Sequence, residues 1–156
     1  MSKKILIALD NSKNSLKAVK YVASSLRPTA TVTMFSVLPE AMAACELGGP
    51  SHPLLEANIE TFCTIDEAKE SAVQGFMEEA KKVLVKAGFP SKDVYIKVRK
   101  KKAGIARHIL KEAQAGKYDT LVMGRRGLSG IKEFVFGSVS NKVLHLAKNF
   151  SIIIVD

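Results

Sequence analysis

Nearly continuous apolar runs alternate along this chain with segments whose apolar residues recur every three or four positions. Residues 3–10 (KKILIALD), 31–38 (TVTMFSVL) and 119–124 (DTLVMG) have the pattern of strands covered on both faces. Residues 151–156 (SIIIVD) form a last run of this kind. Residues 93–100 (DVYIKVRK) alternate instead, which is typical of an edge strand guarded by lysines. The pattern therefore predicts five strands.

Four helices are predicted between these strands. Ser12 or Asn14 is a candidate cap for the first helix, and glycines at 88 and 116 end the second and third. The apolar positions that predict the helices are Leu16, Val19, Val22, Ala23 and Leu26; Ala72, Val73, Phe76, Met77, Ala80, Val83, Leu84 and Ala87; Ile105, Ala106, Ile109, Leu110 and Ala113; and Val139, Val143, Leu146 and Ala147.

Strands that alternate with helices pair in parallel through right-handed crossovers, so an α/β fold is predicted: an open five-stranded parallel sheet with helices on both faces. The length of 156 residues fits a single domain, 1–156. Residues 41–64 fit least well, and we interpret them as a long insertion or loop in which residues 42–45 (MAAC) and 53–59 (PLLEANI) are candidate short helical turns. A flexible lid, a partner-binding surface and a plain insertion are all open for this segment.

Composition and charge narrow the classes of partner. Hydrophobic residues make up 47% of the chain and charged residues 25%, as in ordinary folded proteins. No apolar run approaches the roughly 20 residues that span a bilayer, and the first strand follows the N-terminus too closely for a signal sequence, so we expect a cytoplasmic protein without membrane contact. The net charge of +9 favours an anionic partner: nucleic acid, an acidic protein or phosphates. The scattered histidines and two cysteines match no metal-ligand spacing, so no metal site is predicted.

One stretch carries candidate binding chemistry: GRRGLSGIKEFVFGSVS, residues 124–140. Gly124 ends a buried strand, and Gly127 lets the following loop bring its backbone close to a ligand. Gly137 and Ser138 then open a helix, whose free N–H groups and dipole attract an anion. Together these features favour a phosphate cradle built of backbone donors. A tight turn followed by an ordinary helix cap is the alternative.

The spacing of these residues resembles the G-2x-G-9x-G-(S/T) signature of the ATP-binding branch of the universal stress protein family. Two residues separate Gly124 from Gly127, and nine separate Gly127 from Gly137 and Ser138. The resemblance extends over essentially the whole chain, from the first strand that ends in Asp10 to the final apolar strand. It implies a Rossmann-like fold of the adenine nucleotide alpha hydrolase type.

The resemblance also implies a ligand and an assembly. The ligand would be ATP, or ADP or AMP, with Mg²⁺ as the accompanying cation, and the protein would form a homodimer through the last strand, Ser151 to Asp156. The implied nucleotide-binding residues are Gly127, Gly137, Ser138 and Val139 for the phosphates, Asp10 and Gly124 near the ribose, and Val37 beside the adenine.

The residues themselves assign no catalytic role. Hydrolysis needs a base or a water-orienting group near the terminal phosphate, and the sequence provides no residue for it. We therefore expect a regulatory or stress-response protein, not an enzyme, with at most slow ATP hydrolysis.

Two other hypotheses stay open. In one, the dimer surface or residues 41–64 bind a protein partner and the nucleotide site is vestigial; the intact glycines argue against it. In the other, the basic run Arg99–Lys102 binds nucleic acid, but aromatic residues are not interleaved with it and no nucleic-acid motif is present. A solvated strand end is our interpretation of that run.

Overall fold

The sheet has the strand order β3-β2-β1-β4-β5, with every pair of neighbours parallel. It comes from a computed structural model that describes residues 2–10, 12–39, 53–101, 104–125 and 136–156, without the side chains of 13, 39, 53–66 and 101. The strands are β1 (Lys4–Ala8), β2 (Thr31–Pro39), β3 (Val94–Lys101), β4 (Thr120–Gly124) and β5 (Ser151–Val155). The helices are α1 (Lys13–Ser25), α2 (Pro53–Lys86), α3 (Ile105–Ala115) and α4 (Ser138–Leu146).

The central strand β1 shows why continuous apolar runs predict buried strands. Ile7 and Leu6 are fully buried on opposite faces of the sheet, so neither face of the strand meets water. β1 pairs with β2 from Lys4 opposite Thr31 and with β4 from Ile5 opposite Thr120. The predicted parallel α/β sheet is confirmed.

Each face of the sheet is covered by two helices. On one face, α1 and α2 pack against Ile7 and Met34; on the other, α3 and α4 pack against Leu6 and Phe35. Each fully buried side chain of this size contributes about 1.5–3 kcal/mol through the hydrophobic effect. Helices on both faces of the sheet are thus confirmed.

This arrangement creates a switch point between β1 and β4. The two strands are neighbours, but α1 leaves β1 toward one face while α4 follows β4 on the other. The chain therefore diverges at the carboxyl ends of β1 and β4, which is where open α/β sheets bind ligands.

The basic strand β3 lies at one edge of the sheet, as its alternating pattern predicts. Lys97 forms an ion pair with Glu112 at 2.6 Å, and Lys100 forms one with Glu70 at 2.6 Å. Arg99 is exposed. The described part of the basic run is thus a solvated strand end, and Lys102 lies outside the described residues.

The segment predicted as a loop over 41–64 is shorter in the structure. Helix α2 begins at Pro53, so residues 53–64 are helical, and residues 41–52 lie outside the described residues. Proline suits the first position of a helix because its fixed φ is helical and its missing N–H would have no partner there. The helix then meets no further proline before its end at Lys86.

The apolar positions predicted to be buried in the helices are buried in the middle of a stripe but not at its ends. Val73, Met77 and Leu84 are buried, but Ala72 and Ala87 at the two ends of the α2 stripe are exposed. Leu146 at the end of α4 is 50% exposed. Among the described residues, no helix is long and apolar enough to cross a membrane.

Candidate functional site

Six of the seven predicted binding residues lie at the carboxyl edge of β1, β2 and β4. Asp10 follows β1, Gly124 ends β4, and Val37 lies near the end of β2. Ala8, the last residue of β1, is in register with Met123 of β4 and with Phe35 of β2, so β1 and β4 end within one residue of each other while β2 continues past them to Pro39. Gly137, Ser138 and Val139 begin the helix that follows β4. Gly127 lies outside the described residues.

The Asp10 carboxylate is held by the first turn of α1. Its Oδ1 accepts hydrogen bonds from the Ser15 hydroxyl at 2.6 Å and from the Ser12 backbone N–H at 3.1 Å. The Asp10 N–H in turn donates to Ser15 Oγ at 2.8 Å. The described residues give Oδ2 no hydrogen bond, so one carboxylate oxygen is fixed and the other can accept from a ligand.

Ser12 is the N-cap of α1, one of the two caps that the sequence offers. Its hydroxyl accepts a hydrogen bond from the Ser15 N–H at 3.2 Å, which satisfies one of the free donors at the helix start. The turn after Asp10 is therefore both a helix cap and a clamp on the carboxylate.

Gly124 packs closely against α1. A Cβ at this position would lie 3.0 Å from the backbone oxygen of Asn14 and 3.1 Å from its carbonyl carbon, tighter than nine in ten real Cβ contacts, so α1 would have to shift to admit it. The Gly124 carbonyl accepts a hydrogen bond from the Ser140 hydroxyl at 2.9 Å. The absent side chain lets the end of β4 lie against the first turn of α1, while its carbonyl holds the first turn of α4.

The start of α4 has the features of an anion-binding turn. Gly137 is its N-cap with φ −65° and ψ 160°, and among the described residues no side chain caps the helix. The first bond of the helix runs from the Asn141 N–H to the Gly137 carbonyl at 2.9 Å. The N–H groups of Ser138, Val139 and Ser140 therefore have no carbonyl within the helix and carry the positive end of its dipole. Ser138 is exposed, and Val139 is half-buried against the core.

Arg125 connects this turn to the last strand. Its N–H donates to the Val155 carbonyl at 2.8 Å, and its carbonyl accepts from the Gly137 N–H at 2.9 Å. Its guanidinium pairs with Asp156 at 2.9 Å, while the buried Nε has no partner among the described residues. The side chain is only 28% exposed, so Arg125 is held against the last strand and does not extend freely into solvent.

Sequence reasoning missed Ser15, Ser140 and this role of Arg125. Ser15 carries a local signal, because a serine three residues after a capping serine reaches the backbone before the helix. Ser140 carries none, since its partner Gly124 is sixteen positions away in sequence.

Two concavities of the described surface lie at the opposite edge of the sheet. One of about 610 Å³ is lined by residues that include Tyr118 and Phe150, before β4 and β5. Another of about 800 Å³ is lined by residues that include Ser2 and Thr29, before β1 and β2. These concavities lie at the amino ends of the strands, where parallel α/β sheets do not place their ligands. We therefore assign the candidate site to the carboxyl edge.

Known proteins match the chain over nearly its whole length. The model of the universal stress protein family matches residues 1–155. The universal stress protein YxiE of Bacillus subtilis (strain 168) is 29% identical over 153 residues, which cover 94% of this chain and 95% of YxiE.

Solved structures share the fold. The universal stress protein UspA from Lactobacillus plantarum superposes with a TM-score of 0.76 at 16% identity, covering 99% of this chain and 97% of its own. The universal stress protein from Archaeoglobus fulgidus in complex with dAMP has a TM-score of 0.64 at 17% identity, covering 99% and 98%. Together with the family match, these similarities establish that the chain belongs to the universal stress protein family.

Proposed function

We propose that this protein binds an adenine nucleotide at the carboxyl edge of β1 and β4 and acts as a regulatory or stress-response protein. One observation carries the proposal: Gly124 joins the first turn of α4, which has no side-chain cap among the described residues, to the first turn of α1, which holds the half-free carboxylate of Asp10. An anionic group would fit the α4 turn, and a group that carries a hydroxyl would fit the Asp10 carboxylate.

The groups at the carboxyl edge match the phosphates, the ribose and the adenine of a nucleotide. The N–H groups of Ser138 and Val139 suit phosphate oxygens, and the family resemblance implies Gly127 as a further phosphate contact. Oδ2 of Asp10 suits a ribose hydroxyl or Mg²⁺ bound to the phosphates. Val37, 9% exposed, supplies an apolar wall for the adenine. The net charge of +9 favours an anionic ligand over a neutral one.

Relatives of the same fold support an adenine nucleotide. The Archaeoglobus fulgidus protein was solved with dAMP, and other universal stress proteins with cAMP and with AMP bound. ATP with Mg²⁺ as the natural ligand of this chain is our proposal, and it rests on the spacing of Gly124, Gly127, Gly137 and Ser138.

We also propose that hydrolysis is at most slow. The carboxylate of Asp10 already accepts two hydrogen bonds through Oδ1, and Asp156 is paired with Arg125. We assign the open Oδ2 of Asp10 to the ribose or to Mg²⁺, so among the described residues neither carboxylate serves as the base that hydrolysis needs, and slow hydrolysis suits a nucleotide that acts as a regulatory ligand.

A homodimer through β5 completes the proposal. This strand lies at the edge of the sheet, and Ile152 to Val155 are all only half-buried. An apolar edge strand is a template for pairing, so a second copy of the chain would cover it.

Calorimetric titration with ATP, ADP and AMP, each with Mg²⁺, tests the nucleotide proposal. We expect affinity to fall as phosphates are removed and Gly137→Ala to weaken ATP binding, because a Cβ would lie beside the anion-binding turn. The φ of Gly137 suits any residue, so Gly137→Ala should keep the fold. Gly75→Ala, in the exposed part of α2, is the matched control and should bind as the natural chain does.

If ligand-free natural protein binds none of the three nucleotides, the proposal fails. The hypothesis of a protein partner that binds the dimer surface or residues 41–64 would then take its place.

A further inference from the structure

The hydroxyl of Ser15 has an unusual partner for its place in a helix. Ser15 is the third residue of α1 after the cap Ser12, a position from which side chains commonly reach back to the N–H of the cap itself. Here the hydroxyl reaches further, to the N–H and the carboxylate of Asp10. Ser12 already caps α1, so the Ser15 hydroxyl is available to hydrogen-bond with Asp10.

The hydrogen bonds of Ser15 fix the direction of its proton. Its Oγ accepts from the Asp10 N–H at 2.8 Å and from the Ser12 hydroxyl at 3.4 Å. The short bond from the Asp10 N–H occupies a lone pair of Oγ, and the O–H of Ser15 donates to Asp10 Oδ1 at 2.6 Å, the shortest of these bonds. Ser15 is 4% exposed, so water does not compete for these bonds.

The consequence for Asp10 is a carboxylate that cannot rotate freely. Oδ1 is held by the Ser15 hydroxyl and by the Ser12 N–H, and Asp10 itself is half-buried. Oδ2 receives no hydrogen bond from the described residues. A carboxylate fixed through one oxygen presents the other in one direction, and such pre-organisation strengthens binding because less freedom is lost when the ligand arrives.

We propose that Ser15 is a positioning residue that directs Oδ2 of Asp10 toward the ribose hydroxyls of the bound nucleotide. This inference rests on the proposed function. In this proposal, a residue of α1 that touches no ligand sets the preference of the site for a ribose with free hydroxyls.

The test compares ATP with 2′,3′-dideoxy-ATP, which lacks both ribose hydroxyls. The dissociation constants of both are measured by calorimetry, with Mg²⁺, for the natural chain, Ser15→Ala and Ser12→Ala. Ser12→Ala is the matched control because it weakens the same turn but leaves the Ser15 hydroxyl on Oδ1. Urea denaturation of each variant separates a loss of stability from a loss of binding.

We expect the natural chain to bind ATP more tightly than the dideoxy analogue. Ser15→Ala should weaken ATP about fivefold to tenfold and leave the analogue within about twofold, as for the loss of one hydrogen bond of ordinary strength. Ser12→Ala should weaken both ligands equally and slightly. In an Asp10→Ala background, Ser15→Ala should have no further effect on the ratio of the two affinities, since the two residues act as one unit.

Three results would overturn the inference, and they differ from one another. Equal weakening of both ligands by Ser15→Ala would make Ser15 a structural residue only. Equal affinity of the natural chain for both ligands would exclude the contact between Asp10 and the ribose while nucleotide binding stands. Binding of neither ligand by the natural chain would remove the proposed function itself. If Ser15→Ala does not fold, Ser15→Cys, close in volume but a weak donor, takes its place with the same expectations.

Discussion

The hydroxyl of Ser140 donates a 2.9 Å hydrogen bond to the carbonyl of Gly124, which joins the first turn of α4 to the last residue of β4. Ser140 is 3% exposed. This bond and the backbone bond from Gly137 to Arg125 hold the start of α4 at the strand end from two points. The position of the candidate phosphate-binding turn is therefore set by the sheet.

Ser140→Ala should destabilise the fold by about 1–3 kcal/mol, because the Gly124 carbonyl is left without its buried partner. Urea denaturation followed by circular dichroism measures this loss. Ser138→Ala is the control, since Ser138 is exposed at the same turn, and its stability should change by less than about 0.5 kcal/mol. The reverse order of the two losses would mean that the bond does not hold the turn.

Gly124→Ala should cost about 1–3 kcal/mol, because the new Cβ would press on the Asn14 backbone at 3.0 Å and shift the start of α1. Gly75→Ala in α2 should instead stabilise the protein by about 0.5–1 kcal/mol, since nothing lies within 4 Å and alanine favours a helix. Thermal or urea unfolding of the two variants checks both signs. If Gly124→Ala left the free energy of unfolding unchanged, the start of α1 would move aside without an energetic cost.

Ile154→Pro should convert the proposed dimer to a monomer. The Ser151 N–H and the Val155 carbonyl both bond toward β4, so the alternate peptide groups at Ile152 and Ile154 face the open edge. Proline at 154 removes an outward donor without breaking a bond to β4. Ile154→Ala, which keeps the N–H, is the control and should stay dimeric.

Sedimentation velocity gives the mass of each species in solution. The dimer through β5 would be contradicted if Ile154→Pro sedimented as the natural chain does, or if the natural chain were itself a monomer.

The strands and the buried faces of the helices were predictable because the spacing of apolar residues follows which side chains are buried. β3 was placed at an edge because its apolar residues alternate with polar ones, lysines among them, and Ser12 was one of two predicted caps. The continuous helix from Pro53 was not predicted because the mostly polar residues 66–71 separate the candidate turn at 53–59 from the apolar stripe that begins at Ala72. Leu146 was predicted to be buried because a helical stripe does not show where the neighbouring layer ends.

The site was predictable in place but not in its internal bonds. Glycines and a helix start after a buried strand indicate the carboxyl edge, and Asp10, Gly124 and Gly137 lie there. The bond between Ser140 and Gly124 depends on tertiary packing, and no spacing rule reveals it. The same holds for the contact of Gly124 with Asn14, which explains this glycine by helix packing as well as by a ligand.

Amide chemical shifts of isotope-labelled protein during titration with Mg²⁺ and ATP test the central claim most directly. We predict that the largest chemical-shift changes fall on Asp10, Val37 and residues 137–140 at the carboxyl edge. Tyr118, Phe150, Ser2 and Thr29, which line the concavities at the opposite edge, should stay unchanged and serve as internal controls. Changes concentrated at the amino ends of the strands, or no changes at saturating ATP, would contradict a nucleotide site between β1 and β4.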